Sequence, residues 1–313
     1  MSCQIFEIKN QEYSARINLS RGANCISLRN EKYGARILRE AAGDGSVDNP
    51  YLYGMPILFP VNRISGGEFE FEGRTYRFPV NEPSTGCHLH GELHQMEFQL
   101  QEQKDNRIVC SYPAESEHLY LTFPHEFEIK VIYELTEEGL AHTTEVTNLS
   151  KENMPVFLGF HTTFNLPFCA DSNPQDIRAL VEIGEEYERN MTTYLPTGRK
   201  PAFDEVTQEL NQGKFVPWEK PISRHYSSGR NGRMVLYDIA KDVSVVYEND
   251  AAFRFRLIYN GAKEGYICME PQTCLANCQN SPFDRQEAGF DFVRPGETKT
   301  YRSKLYVASG DCR

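Results

Sequence analysis

Four short stretches carry side chains suited to moving protons, each set among apolar residues, Pro or Gly. They are Asn62-Arg63-Ile64 behind "MPILFPV", Leu89-His90-Gly91, His161 in "GFHTTFNLPF", and Glu270-Pro271 behind "GYICM". A histidine and a carboxylate brought together can exchange a proton near neutral pH, which is what general acid/base chemistry requires. Taken singly, each residue has a plainer reading. Most glutamates are surface residues, and a histidine between "VFLGF" and "TTFNL" is commonly a neutral core histidine with one hydrogen bond. Glu270 follows an apolar, aromatic run, so its carboxyl is poorly solvated and its pKa is expected to rise. Arg63 presents a planar fork of donors that either caps a buried carboxylate or faces a ligand.

The elements that must position these residues are strands. In "FEFEGRTYRF", a two-residue turn at Glu72-Gly73 places Phe69 opposite Tyr76 and Phe71 opposite Arg74, with a residue that tolerates positive φ in the turn. Phe127, Ile129, Val131, Tyr133 and Leu135 alternate with mostly polar residues, Glu138-Gly139 breaks the run, and Leu140, His142, Thr144 and Val146 resume it. This reads as a long hairpin with one buried face. "VSVVYEND", "FRFRLIYN" and "TKTYRSKLYVAS" continue in β-branched and aromatic residues. Helical periodicity is confined to "AFDEVTQELNQGKF". No Pro/Ser-rich linker or repeat divides residues 1–313, so a single domain is expected. Its fold class is all-β, and periodicity alone leaves sandwich and barrel open.

Composition bounds the partners. The 313 residues carry a formal net charge of −11, with 40% hydrophobic and 25% charged residues. That suits a folded globular chain. It offers no basic footprint for nucleic acid and none for an anionic membrane surface. The polar N-terminus lacks the pattern of a secretory signal, and no apolar run is long enough to span a bilayer, so a cytoplasmic location is expected. Nine cysteines at irregular spacing favour reduced thiols. Cys268, Cys274 and Cys278 have neither CxxC spacing nor a histidine close in sequence, and they read as small buried thiols. His88, His90 and His94 crowd together without a further ligand signature. The expectation is no metal and no cofactor.

In order and wording these stretches resemble the aldose 1-epimerases, the galactose mutarotase family. The longest match is "NRI.GG.F…G", and the likeness covers roughly the whole chain. It implies a β-supersandwich of large antiparallel sheets, which composition and periodicity do not reach. It implies that Glu270 is the general base and His161 the general acid that protonates a sugar's ring oxygen. Asn62, Arg63 and His90 would bind the substrate, with His90 near the anomeric centre. His161 and Glu270 would face each other across a sugar-sized gap in one open cleft. The partner is then a small sugar, handled by a monomer or homodimer.

The chain departs from the family wording in three places. Cys87 stands where the family has Asn, and Thr162-Thr163 where it has Pro-Tyr. After the Leu195-Pro196-Thr197-Gly198 loop, Ser223, Arg224 and His225 stand where a sugar-binding aspartate is expected. A non-catalytic carbohydrate-binding protein of the same fold is therefore one alternative. A hexose-6-phosphate 1-epimerase is another, and it requires clustered basic residues of which the sequence exposes only Arg63. A glycosidase would need a second carboxylate motif, and none stands out.

Overall fold

A computed structural model describes residues 4–41, 49–115, 120–261 and 263–313. The first three residues, which belong to the N-terminal stretch read above and include Cys3, lie outside the described residues. The strands form two large antiparallel sheets and several smaller ones, with one α-helix among the described residues, Glu205–Asn211.

The larger sheet has eight strands. Its spatial order is Gln99–Lys104, Arg107–Ala114, Phe127–Thr136, Gly139–Asn148, Thr298–Ser309, Val243–Asn249, Arg233–Asp238 and Ile177–Val181. At its centre is the long hairpin, paired from Phe127↔Asn148 to Thr136↔Gly139. Every second residue of it, from Phe127 to Leu135 and from Leu140 to Val146, is buried. The turn is Glu137-Glu138, one residue earlier than the sequence suggests, because Gly139 (φ 140) already pairs as a strand residue. The Phe69/Tyr76 hairpin has the expected register, with Glu72 and Gly73 both at positive φ. The helix starts where Asp204 accepts a hydrogen bond from Thr207 N at 3.0 Å, an N-cap.

The second sheet runs Ile183–Tyr187, Ser223–Ser228, Phe255–Tyr259, Tyr266–Gln272, Gly159–Phe160 and Ile57–Leu58, and Thr163–Asn165 also pairs with Tyr266–Gln272. One of its faces lies on the eight-stranded sheet. Phe160 meets His142, which stacks on Tyr133, with ring centroids 4.8 and 4.7 Å apart. Two residues on, Thr162 Oγ1 is 3.2 Å from Tyr247 Oη, and the Phe164 ring is 5.9 Å from that of Tyr247. Side chains alternate along a strand, so His161 and Thr163 point to the opposite face. That second face carries the candidate site.

Candidate functional site

The strand Tyr266–Gln272 is buried along its whole length, and alternation sorts its residues by chemistry. Ile267 and Met269 belong to the apolar core. Cys268, Glu270 and Gln272 take the other face, beside His161 and Thr163: Thr163 is the register partner of Cys268, and its Oγ1 lies 3.4 Å from the Cys268 sulfur. Across the neighbouring strands the same face carries Leu257 opposite Glu270, His225 opposite Leu257, and Tyr187 opposite His225.

His161 Nε2 lies 3.3 Å from Glu270 Oε1. The two are in direct contact, and Glu270 is only 1% exposed and His161 7%. The expected sugar-sized gap in an open cleft is not what the geometry shows. The reason is the register, which runs the chain through His161 directly over the strand of Glu270. The approach is not aligned as a hydrogen bond, and Glu270 Oε1 has no hydrogen-bond partner. The other oxygen is held: Gln272 Nε2 donates to Glu270 Oε2 at 3.1 Å, and Asn62 Nδ2 donates to Gln272 Oε1 at 3.0 Å.

Burial sets the proton affinities of this pair. Desolvation pushes the Glu270 carboxyl up to about 8, against the Gln272 hydrogen bond and the charges of Arg189 and Arg63. Desolvation pulls the His161 imidazolium down to about 3. Both follow from the charged form being the one that loses water. At neutral pH the pair is a carboxylic acid beside a neutral imidazole, holding one proton between them.

Asn62 and His90 lock one another. Both adopt left-handed backbone conformations, φ 62 and 61, a region in which asparagine and histidine are both enriched among non-glycine residues. Asn62 N donates to His90 Nδ1 at 3.2 Å, and His90 N donates to Asn62 O at 3.0 Å. Because Nδ1 accepts, the ring proton is assigned to Nε2. Burial, reinforced by His161 and Arg63, holds His90 well below the ordinary histidine range, so it is a neutral donor. Gly91 follows at φ 62, and a Cβ there would strike Phe59 O. The ring of Tyr51 gathers His90, His94 and His161 at 4.8, 4.7 and 5.9 Å.

Arg63 meets a carboxylate. Its Nε and Nη2 bond both oxygens of Glu82 at 2.6 and 2.7 Å, and its guanidinium lies 4.7 Å from the Tyr194 ring centroid. Burial would raise the Glu82 carboxyl, but the hydrogen bonds from Arg63 and Thr85 hold it below the usual carboxylate range. Arg189, which nothing in "EEYERNMTTY" distinguishes from a surface residue, has its guanidinium 5.8 Å from the centroid of the same ring. A turn in which Asn190 Oδ1 accepts from Thr192 N and Thr193 N at 2.8 and 3.2 Å brings Tyr194 to both arginines. Arg189 Nη2 donates to Ser223 O at 2.7 Å and Ser223 Oγ at 2.9 Å. Ser223 is one of the three positions where the family aspartate is expected, so a buried cation occupies that corner. Of the two aspartates nearest on either side in sequence, Asp204 caps the helix and pairs with Arg224, and Asp238 accepts from Ala240 N and Lys241 N.

The structure also supplies Cys268 with the histidine that sequence spacing denied it. His161, Cys268 and Glu270 each offer one ligand atom, and the three atoms lie within 4.8 Å of one another. This three-donor set stands where the sequence suggested none. The thiol bonds Thr163, and burial raises its pKa well above the ordinary value. His88 instead bonds Pro79 O at 2.7 Å, and Cys274 and Cys278 are free buried thiols. No helix among the described residues is long and apolar enough to cross a membrane.

A family model described as aldose 1-epimerase matches residues 4–306. Among solved structures, a galactose mutarotase-like protein from Clostridium acetobutylicum superposes with a TM-score of 0.91 at 30% identity, covering 98% of this chain and 99% of its own. Galactose 1-epimerase from Lactobacillus acidophilus shares the fold, with a TM-score of 0.72 at 14% identity over 98% of this chain and 95% of its own. The chromosomal LacX protein of Lactococcus lactis subsp. lactis is 32% identical over 174 residues, and the match spans about half of either chain, 54% of each.

Proposed function

The chain belongs to the aldose 1-epimerase family, and on that premise we propose that it interconverts the α and β anomers of an aldose by general acid/base ring opening. The observation that carries the reading is the contact of His161 Nε2 with Glu270 Oε1 at 3.3 Å, in a corner where one carboxyl oxygen still lacks a hydrogen-bond partner. Glu270 takes the proton of the C1 hydroxyl, His161 gives a proton to the ring oxygen, and the C1–O5 bond breaks. The aldehyde turns about its bond to C2, the ring oxygen attacks the other face of C1, and both protons return. The sum is proton movement and one bond rotation. Each group is expected to contribute roughly 10²–10⁴ in rate.

The reaction conserves one proton on the pair. Before substrate enters, burial places it on Glu270, and the polar hydroxyls of the sugar, with the Nε2–H of His90, favour its move to His161. Below the lower limit both groups are protonated and no base remains. Above the upper limit neither is, and no acid remains. The pH–rate profile is therefore bell-shaped, with limbs near 3 and 8 that belong to the pair as a whole. The acid limb is mainly the imidazole and the basic limb the carboxyl, the reverse of the order their ordinary pKa values would give.

The test is polarimetry on freshly dissolved pure anomers of a panel of neutral and acidic aldoses, read above the spontaneous rate. Catalysed exchange of at least one is expected. Binding without exchange of any would leave a carbohydrate-binding protein of this fold and end the epimerase reading.

A further inference from the structure

We propose that the end of the site remote from Glu270 is an anion subsite, so that the substrate is an aldose carrying a carboxylate or phosphate ester held by Arg189 and His225. This rests on the reading of His161 and Glu270 as the pair that handles C1.

The two arginines beside Tyr194 differ in what neutralises them. Arg63 has a bidentate carboxylate, Glu82. Arg189 is 8% exposed, its bonds are to the uncharged oxygens of Ser223, and among the described residues it forms no ion pair with a carboxylate. A buried charge without a counter-charge is strongly unfavourable, because nothing repays the water it lost. Glu270 shares the face and the two groups feel each other's charge, but among the described residues no carboxylate oxygen lies within ion-pair distance of the Arg189 guanidinium.

The second observation is independent. His225 is fully buried, lies on the same face two strands from Glu270, and neither of its ring nitrogens has a hydrogen-bond partner. Buried polar atoms are normally satisfied, so an unpaired imidazole beside an uncompensated guanidinium describes donors turned toward an acceptor. Arg189 follows the strand Ile183–Tyr187, three strands from Tyr266–Gln272. At roughly 4.8 Å per strand this is about 14 Å between backbones. Across that span the shared face carries His225 and Leu257. With a net charge of −11 on the chain, attraction for an anion must be local.

The experiment uses the purified chain and titrates D-glucose, D-glucuronate, D-glucose 6-phosphate and inorganic phosphate by calorimetry, with anomer exchange followed in parallel by NMR. One acidic sugar is expected to bind at least about tenfold more tightly than glucose, the size of one charge-assisted hydrogen bond, and which of the two does so identifies the group. Arg189→Met should remove that preference, and Arg189→Lys should retain part of it. Ser223→Asp, which leaves Arg189 in place and gives it a carboxylate, should also abolish the preference, and it carries the test should Arg189→Met fail to fold. Glucose binding as tightly as both acidic sugars, or a folded Arg189→Met variant with unchanged preference, overturns the proposal. Charge-selective binding without exchange of any sugar would overturn the epimerase reading alone. Exchange of neutral sugars without charge selectivity would overturn the anion subsite alone.

Discussion

The two faces of the strand Tyr266–Gln272 are built from the same backbone and obey opposite rules. Toward the eight-stranded sheet, Ile267 and Met269 join Phe160 and Phe164 in a core whose apolar members are almost wholly buried. Away from it, Cys268, Glu270 and Gln272 are just as buried, yet Glu270 keeps an oxygen without a hydrogen-bond partner and His225 two nitrogens. The core face buries apolar side chains that ask for no hydrogen bond. The site face buries groups that do, and native proteins hold such unfavourable groups in place only where the surroundings over-determine them. Here the over-determination is the chain Asn62–Gln272–Glu270 and the reciprocal clasp of Asn62 with His90. The comparison teaches that burial alone does not separate core from site; what sets this face apart is buried titratable groups left with unpaired atoms side by side on one strand face.

Substitutions on the two faces should separate rate from stability. Glu270→Gln and His161→Ala are each expected to lower catalysed exchange by roughly two to four powers of ten, about 3–5.5 kcal/mol of barrier, while the proteins remain folded by circular dichroism. A folded Glu270→Gln variant with near wild-type exchange would remove that residue from the chemistry. On the other face, Phe160→Ala should destabilise the fold by about 3–5 kcal/mol through lost burial and a cavity against His142. Urea unfolding measures it, and a change below about 1 kcal/mol would mean the two sheets do not depend on this contact.

The unfavourable state of Glu270 gives the next effect a sign. Its folded-state pKa, about 8, lies above the ordinary carboxyl value of roughly 4.3 in an unfolded chain. Its contribution to stability is therefore fully present below that ordinary value and is lost as pH rises through about 8. Glu270→Gln should gain stability relative to wild type between pH 5 and 9, on the order of a few kcal/mol. Paired denaturation curves showing a pH-independent difference would place the carboxyl in solvent.

The smallest effect belongs to Arg63. Glu82→Gln keeps one acceptor for the guanidinium and removes its counter-charge. The expected loss of stability is about 1–2 kcal/mol, with KM for the sugar changing more than kcat. If kcat falls and KM stays constant, Arg63 acts on the transition state and not on binding.

Several features were legible because they are local. The Glu72-Gly73 hairpin, the alternation from Phe127 to Val146 and the short helix near Asp204 each follow from a periodicity or a turn residue within a few positions. Gln272 could have been found the same way, since it lies two residues after Glu270 and so shares its face. Glu82 was half legible: Arg63 called for either a carboxylate or a ligand, and nothing local decided between them. Arg189 left no signal, because an arginine in a charged, polar stretch is the commonest surface pattern there is.

By itself the sequence determined the elements, their alternation, and the family to which His161, Glu270, Asn62, Arg63 and His90 point. Those properties are written in nearest-neighbour spacing and in the order of short motifs. Only the tertiary structure decided which partners each residue meets. Strand register set His161 against Glu270 and Cys268, the pairing of Ile183–Tyr187 with Ser223–Ser228 brought Arg189 to Ser223, and burial reversed the proton affinities of the acid/base pair. Register, long-range pairing and loss of water depend on residues tens to more than a hundred positions apart, 34 for Arg189 and Ser223 and 210 for Asn62 and Gln272, and no local spacing encodes them.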